Sequence, residues 1–380
     1  MTTLSYITTG ESHGKCLTAV ISDVPYGTSI NEEAINIDLA RRQGGYGRGA
    51  RMKMEKDTVE ILTGIRHGKS LGNPITLMIK NNVSNIEELG SITKPRPGHT
   101  DLAGAMKYGL TDARDISERA SARETVARVA AGSLAKQLLS LFNVEVCGYV
   151  VSIGNITSNI RINNPSELRT KRDASLFYCP EGEKLDEKVK QLVDETTKQG
   201  NTLGGTFEVV VFNAPPGLGN FTTWDGKLDG RLAYALMSIQ TVKGVEIGSG
   251  FQSARMPGSE VHDEIVMKDN KIIRKSNNAG GIEGGITNGE PIVVRAACKP
   301  ISTLLKPLAT VDLTSKKEAE AQYERSDVCV VPAASVIGEA VVAFEIAAAF
   351  LEKFGGDTLE EVKERYNTYL DRIGSMFYKK

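Results

Sequence analysis

The sequence predicts an α+β fold, and three observations carry that expectation. Short apolar runs bounded by turn residues read as strands at 17–22, 75–79, 144–153, 206–213 and 291–298. Segments with apolar residues at helical spacing, opened by capping residues, read as helices at 31–42 and 121–141. Another helix opens near Pro332 and runs to Phe354 with apolar residues on most sides, which suits a helix buried in the middle of a fold.

The first strand, 17–22, ends at the turn Pro25-Tyr26-Gly27. Asn31 is then an N-cap, and Glu32 and Glu33 fill the first turn of a helix that runs directly into Arg41-Arg42-Gln43-Gly44-Gly45-Tyr46-Gly47-Arg48-Gly49-Ala50-Arg51. That glycine–arginine cluster therefore sits at a helix C-terminus and in the loop beyond it. Residues 83–110 are rich in turn residues and lack periodicity. Ser121 and Glu124 have the spacing of a capping box, and Val126, Val129, Ala130, Ser133, Leu134 and Leu138 continue the helix to about Leu141. Between strands 144–153 and 206–213 the charged stretch 164–200 reads as an inserted helical excursion, and Ala233 to Val242 reads as a helix. Gly280 to Gly289 is a glycine loop ahead of the strand Pro291–Cys298, and Gly355-Gly356 close the helix that opens near Pro332. With no solenoid period and no Pro/Ser/Gly linker, residues 1–380 are expected to form one domain.

Composition narrows the function. An apolar fraction of 40% supports a sizeable core, while a net charge of −1 creates no global field for nucleic acid or membrane. An anion site must therefore come from local clustering. Five cysteines, scattered and without a CxxC pair, argue against a disulfide framework and a zinc site. The N-terminus has no basic and apolar signal regions, and no uninterrupted apolar run approaches membrane-spanning length, so a cytoplasmic protein is expected.

Local clusters of the required kind are present. His13 lies in Gly10-Glu11-Ser12-His13-Gly14, and His99 lies in Arg96-Pro97-Gly98-His99-Thr100-Asp101. An imidazole titrates near neutrality, so either could carry a proton for a leaving oxygen; the rival reading is a surface loop histidine. His67 and His262, among charged residues, read as solvated. The Arg41–Arg51 string could contact RNA, but it is short, does not repeat and follows a helix, which favours a loop for a small anion. The capped helix start at Ser121-Ala122-Arg123 offers free backbone N–H groups beside a guanidinium. Lys299-Pro300-Ile301-Ser302-Thr303 brings one ammonium and two hydroxyls together after a strand. Gly280–Gly289 precedes a strand rather than a helix and so does not fit the dinucleotide fingerprint. Arg325-Ser326-Asp327, taken alone, would be a turn with a surface ion pair.

Taken in order, these segments, together with Val129-Ala130-Ala131-Gly132 and Val242-Lys243-Gly244-Val245-Glu246-Ile247-Gly248, resemble the chorismate synthase family over nearly the whole chain. The resemblance implies a β-α-β sandwich with a helical core between antiparallel sheets, assembled as a homotetramer. It implies conversion of 5-enolpyruvylshikimate 3-phosphate to chorismate and phosphate, a 1,4-anti elimination needing reduced FMN (FMNH2) without net redox change. By position, His13 would protonate the departing phosphate oxygen, His99 would lie near the flavin N1 and O2 edge, and Asp327 would act at flavin N5. Arg42, Arg48, Arg96, Arg123 and Arg325 would line the substrate site, with Arg51 a weaker candidate. Ser121, Ala122, Arg123, Gln240, Thr241, Gly284, Lys299, Pro300, Ile301, Ser302, Thr303 and Arg325 would hold FMN. Two departures are visible: Gln240-Thr241 replaces an Asn-Ala-like pair, and Val-Cys follows Asp327 where Pro-Cys is frequent. Some family members reduce flavin themselves with NADPH, and others use an external flavin reductase; the second type is expected here. An FMN-dependent oxidoreductase is the alternative enzyme class, and an RNA-binding module the non-enzymatic one.

Overall fold

The computed structural model describes residues 4–48, 56–324 and 326–377. Two antiparallel sheets form its outer layers. The first contains β1 (Ser5–Thr9), β2 (Cys16–Ser22), β3 (Val59–Thr63) and β4 (Ile75–Lys80), in the order β1-β2-β4-β3. Its pleat sorts the side chains: Leu17, Ala19 and Ile21 are buried, and they stand opposite buried Ile79, Leu77 and Ile75. One face is thus wholly apolar, as expected of a half-buried sheet. The second sheet contains β5 (Glu145–Ile153), β6 (Ile156–Thr157), β7 (Gly205–Phe212), β8 (Val242–Ile247) and β9 (Ile292–Cys298), in the order β8-β9-β7-β5-β6.

The main helices are α1 (Glu32–Gln43), α2 (Asp101–Tyr108), α3 (Arg114–Ala120), α4 (Thr125–Ser140), α5 (Pro165–Ala174), α6 (Glu183–Lys198), α7 (Leu228–Met237), α8 (Val331–Phe354) and α9 (Leu359–Phe377). Helix α4 packs on the first sheet, α8 packs on β5 and β7 of the second, and the two helices pack on each other. A Cβ added at Gly132 of α4 would stand 2.3 Å from the Ala340 carbonyl of α8, so their backbones nearly touch. One hydrophobic cluster spans the layers, from Leu17 and Leu77 through Leu134 and Phe350 to Val209 and Val294. The architecture is a helical core enclosed between antiparallel sheets.

Among the described residues α8 is the one helix long and apolar enough to cross a membrane, but 89% of that stretch is buried between the sheets, so it is a core helix. Its Glu339 is buried too. Arg41 at 2.9 Å, Arg172 at 3.0 Å and Lys136 surround the carboxylate, and the Gly148 N–H donates to it at 2.7 Å. Burial pushes the Glu339 carboxyl up, but the three cations outweigh it and hold the group well below its ordinary range.

Several elements depart from the expectations. Residues 83–110 contain α2, hidden among Pro and Gly. Ser121 accepts from the Arg123 N–H at 3.2 Å, but Glu124 does not complete a capping box; its carboxylate meets Thr8 and Arg128, and α4 starts at Thr125. The helix expected at 233–242 lies at 228–237. Thr241, at φ 78°, turns the chain out of it, and Val242 opens β8 against β9. Gly280–Gly289 contains a small hairpin, Ile282–Glu283 paired with Ile286–Thr287. The stretch 164–200, by contrast, is helical as expected: it holds α5 and α6, and Arg172 of α5 reaches Glu339.

Candidate active site

A cavity of about 660 Å³ gathers segments that are far apart in sequence: the His13 loop, the end of α1, residues 96–123, the approach to β8, the segment after β9 and the approach to α8. His13 is delivered by a tight turn between β1 and β2. Gly10, at φ +100°, opens it, and a Cβ there would meet the Cys16 carbonyl at 2.2 Å. The turn is tied to α3. The Ser12 N–H donates to the Glu118 carbonyl at 3.1 Å, and the His13 N–H donates to Glu118 Oε2 at 3.0 Å. His13 Nδ1 lies 2.9 Å from the same oxygen; a carboxylate only accepts, so Nδ1 carries the proton. Burial pushes the Glu118 carboxyl up, but His13 and Arg114 outweigh it and hold the group below its ordinary value.

His99 is held in the same manner. Its Nδ1 lies 2.6 Å from Oδ1 of Asp101, which is fully buried at the start of α2. Arg96 grips that carboxylate through Nε at 2.8 Å and Nη2 at 3.0 Å, and its backbone N–H adds a third bond. Burial alone would raise the Asp101 carboxyl, but hydrogen bonds and charge from His99 and Arg96 depress it strongly. Much of the Arg96 fork is therefore committed within the protein.

The remaining arginines converge around Asp57 and Asp327. Arg123 Nη1 lies 2.7 Å from Asp57, and Arg42 Nη1 lies 3.5 Å from the same carboxylate. Arg42 also donates to Thr125 and to the Ala122 carbonyl. Burial, aided by the positive charges of Arg123 and Arg48, lowers Arg42 to about 10, so it stays charged near neutrality. Arg48 Nη1 lies 2.7 Å from Asp327, joining an expected substrate ligand to an expected catalytic group.

Other lining residues suit a planar cofactor with a phosphate tail. Ile301, Val242 and Ile337 are apolar, and Lys299, Ser302 and Thr303 add polar groups. Lys299 donates to the Gly98 carbonyl at 2.8 Å, and burial and the Lys243 charge lower its affinity for a proton. Gln240 Oε1 is buried with no hydrogen-bond partner among the described residues. A buried acceptor left open in a cavity wall fits a ligand that brings a donor. On these grounds the residues present fit FMN.

Most expected site residues meet in this cavity: His13, His99, Asp327, Arg42, Arg48, Arg96, Arg123, Ser121, Ala122, Gln240, Thr241, Lys299, Ile301, Ser302 and Thr303. Pro300 and Gly284 are not among its lining residues, and Gly284 sits at the exposed tip of the hairpin 282–287. Arg325 and Arg51 lie outside the described residues. Sequence reasoning missed Arg114, Glu118, Ser117 and Lys243 in the lining, and Asp57 and Asn81 behind it. The Asn81 amide donates to the Glu11 and Gly14 carbonyls while its oxygen accepts from Arg123, linking the His13 turn to the arginines.

The model of the chorismate synthase family matches residues 4–351. The chain belongs to the chorismate synthase family. It is 53% identical to a chorismate synthase from Geobacter metallireducens, over 98% of this chain and all of that one. Identity to the chorismate synthase of Aquifex aeolicus is 51%, over 98% of each. A crystal structure of chorismate synthase superposes with a TM-score of 0.81 at 43% identity, covering 99% of both chains. The enzyme is thus a lyase that converts 5-enolpyruvylshikimate 3-phosphate to chorismate, in a family that generally uses reduced FMN.

Proposed function

We propose that the cavity is where the 1,4-anti elimination takes place, with His13, His99 and Asp327 as its proton-handling groups. One observation carries this reading: Arg42, Arg48, Arg96, Arg123, Lys243 and Lys299 face a single cavity in a chain of net charge −1. Such a concentration of cations matches a substrate with one phosphate and two carboxylates. Arg42, Arg48 and Arg123 bind the anionic groups, with Arg325 as a further ligand. Arg96 contributes through whatever its grip on Asp101 leaves available. In this reading His13 acts as the imidazolium: Nδ1–H stays donated to Glu118 while Nε2–H is given to the departing phosphate oxygen. Asp327 takes up the proton lost from the substrate ring, oriented by Arg48.

Ser121, Ala122, Arg123, Gln240, Thr241 and the run Lys299–Thr303 would hold FMN, with Lys299 and the Ser302 and Thr303 hydroxyls suited to its phosphate. When bound, reduced FMN supplies electron density that assists departure of phosphate and is recovered afterwards. His99, oriented by Asp101, would turn its second nitrogen towards a bound flavin. We extend the family reading to a cytoplasmic homotetramer supplied by an external flavin reductase.

The test is anaerobic incubation with 5-enolpyruvylshikimate 3-phosphate and photoreduced FMN, following chorismate absorbance and phosphate release together. Many turnovers per flavin are expected, with equal amounts of both products and no net flavin oxidation. Product formed only in step with consumed reductant would replace this reading with the oxidoreductase. Turnover sustained by FMN and NADPH alone would place the reductase activity in this chain.

A further inference from the structure

Both imidazoles in the cavity give Nδ1 to a buried carboxylate, His13 to Glu118 and His99 to Asp101. Each carboxylate also meets an arginine. Here the two pairs diverge. Arg96 engages both oxygens of Asp101, so that charge is shared closely between His99 and a guanidinium. Arg114 touches only Glu118 Oε1, at 3.4 Å, and is itself shared with the Gly90 carbonyl at 2.7 Å and with Glu324 at 3.0 Å. Glu118 Oε2 faces His13 twice, through the ring and through the main chain, and the Glu118 carbonyl takes the preceding N–H. Three contacts from one residue thus fix the turn that carries His13, across 105 positions of sequence.

We propose that Glu118 is the positioning residue of His13: it fixes the ring tautomer, aims the ring into the cavity and favours the charged imidazolium that the leaving phosphate needs. The proposal rests on the reading of His13 as the acid. As the C–O bond breaks, the electron pair goes to the phosphate oxygen, which takes the proton from Nε2. The ring becomes neutral with Nδ1–H still donated to Glu118, and Nε2 regains a proton from solvent. Glu118 stays ionised throughout. Its depressed proton affinity in the resting fold is consistent with that role.

The other charged groups facing the same cavity are Arg42 in the last turn of α1 and Arg48 beyond it, Arg96, His99 and Arg114 around α2 and α3, Arg123 before α4, Lys243 on β8, Lys299 after β9, and Glu324 and Asp327 before α8. Glu11 and Lys15 belong to the His13 turn itself. Most are cationic, and Glu118 is the carboxylate in hydrogen-bond contact with the His13 ring. All of them remain in Glu118→Gln, which keeps the side-chain shape, removes the charge and turns one acceptor oxygen into an NH2 donor; the remaining oxygen can still accept from His13.

The experiment combines kinetics and titration on the FMN-loaded full-length enzyme. Glu118→Gln, His13→Ala and the double variant are compared for kcat, KM and the pH profile of kcat/KM. The His13 ring is titrated by NMR after ring labelling, which is tractable with four histidines and assigned by its loss in His13→Ala. Glu118→Gln is expected to lower kcat by about 10–100-fold with little change in KM. The alkaline limb of its pH profile and the His13 midpoint should both move to lower pH, and it should add no loss in the His13→Ala background. An unmoved His13 midpoint, or an equal loss with and without His13, would overturn the proposal. Near wild-type turnover in His13→Ala would remove the acid reading and the proposal with it. Failure of Glu118 alone looks different: His13→Ala is slow while Glu118→Gln is not.

Discussion

At the scale of single residues, each proton-handling group is defined by its neighbours. General acids and bases contribute about 10²–10⁴-fold to rate, so His13→Ala, His99→Ala and Asp327→Ala should each slow turnover by that order while melting as the parent does. Wild-type rates in any one of them would exclude that residue. Asp101 has a structural consequence as well. It is depressed in the fold, so it favours folding when ionised and loses that contribution once protonated. Stability should therefore be constant near neutrality and decline as pH falls below about 4, the ordinary carboxylate range. Urea denaturation across pH would show it. Asp101→Asn should flatten that decline and cost about 3–5 kcal/mol at neutral pH, by leaving Arg96 buried without its carboxylate. His13, His99, Arg42, Arg48 and Arg96 stood out in the sequence because glycine or proline lies close to them in short motifs, and Arg123 because it follows the capping residue Ser121. Of their orienting partners, Asp101 lies in the same motif as His99, but the others carried no signal. Glu118 lies 105 positions from His13, and Asp57 and Asn81 lie 66 and 42 from Arg123, inside segments with no local signature.

At the scale of elements, the contact between α4 and α8 is the tightest helix–helix approach that its glycine makes visible, with Gly132 against the Ala340 backbone. Gly132 has backbone rather than a flexible side chain against it, so Gly132→Ala must push the helices apart. Overpacking of this kind costs about 1–3 kcal/mol, and a lower urea midpoint with an unchanged slope would record it. A midpoint equal to wild type would mean that the interface yields without strain. Helix α8 announced itself because its apolar residues surround the axis, and α1 because Asn31 caps it; the Asn31 side chain does accept from the Glu33 N–H. By contrast, α9 has only Leu359 and Val362 fully buried, and α2 sits in a stretch dominated by turn residues. Strand β1 leaves alternate residues exposed, with Ile7 63% accessible, so hydrophobicity alone does not mark it.

At the scale of the molecule, Glu339 ties layers together. It joins Arg41 at the end of α1, Lys136 of α4, Arg172 of α5 and the backbone of β5 through one carboxylate. Arg41 is next to Arg42, so this hub also anchors the end of α1 that enters the cavity. Glu339→Ala would leave Arg41 and Lys136 to Asp38 and Arg172 to Asp173, two carboxylates for three buried or half-buried cations, and a loss of about 3–5 kcal/mol is expected. The loss should shrink in acid: Glu339 is depressed in the fold, so wild type itself forfeits the contribution as pH drops below the ordinary carboxylate range. Equal stability of the variant and wild type at pH 7 would show that Asp38 and Asp173 suffice for the three cations.

The position of α8 has a consequence in time. The helix that fills the centre spans residues 331–354, whereas the strands it covers lie between 145 and 212. During synthesis those strands emerge well before their cover, leaving an apolar sheet face exposed while well over a hundred further residues are added. Contacts between residues so far apart in sequence form slowly and leave intermediates open to aggregation. Refolding yield should thus fall steeply with protein concentration, and a chaperone that shields apolar sheet faces should restore it.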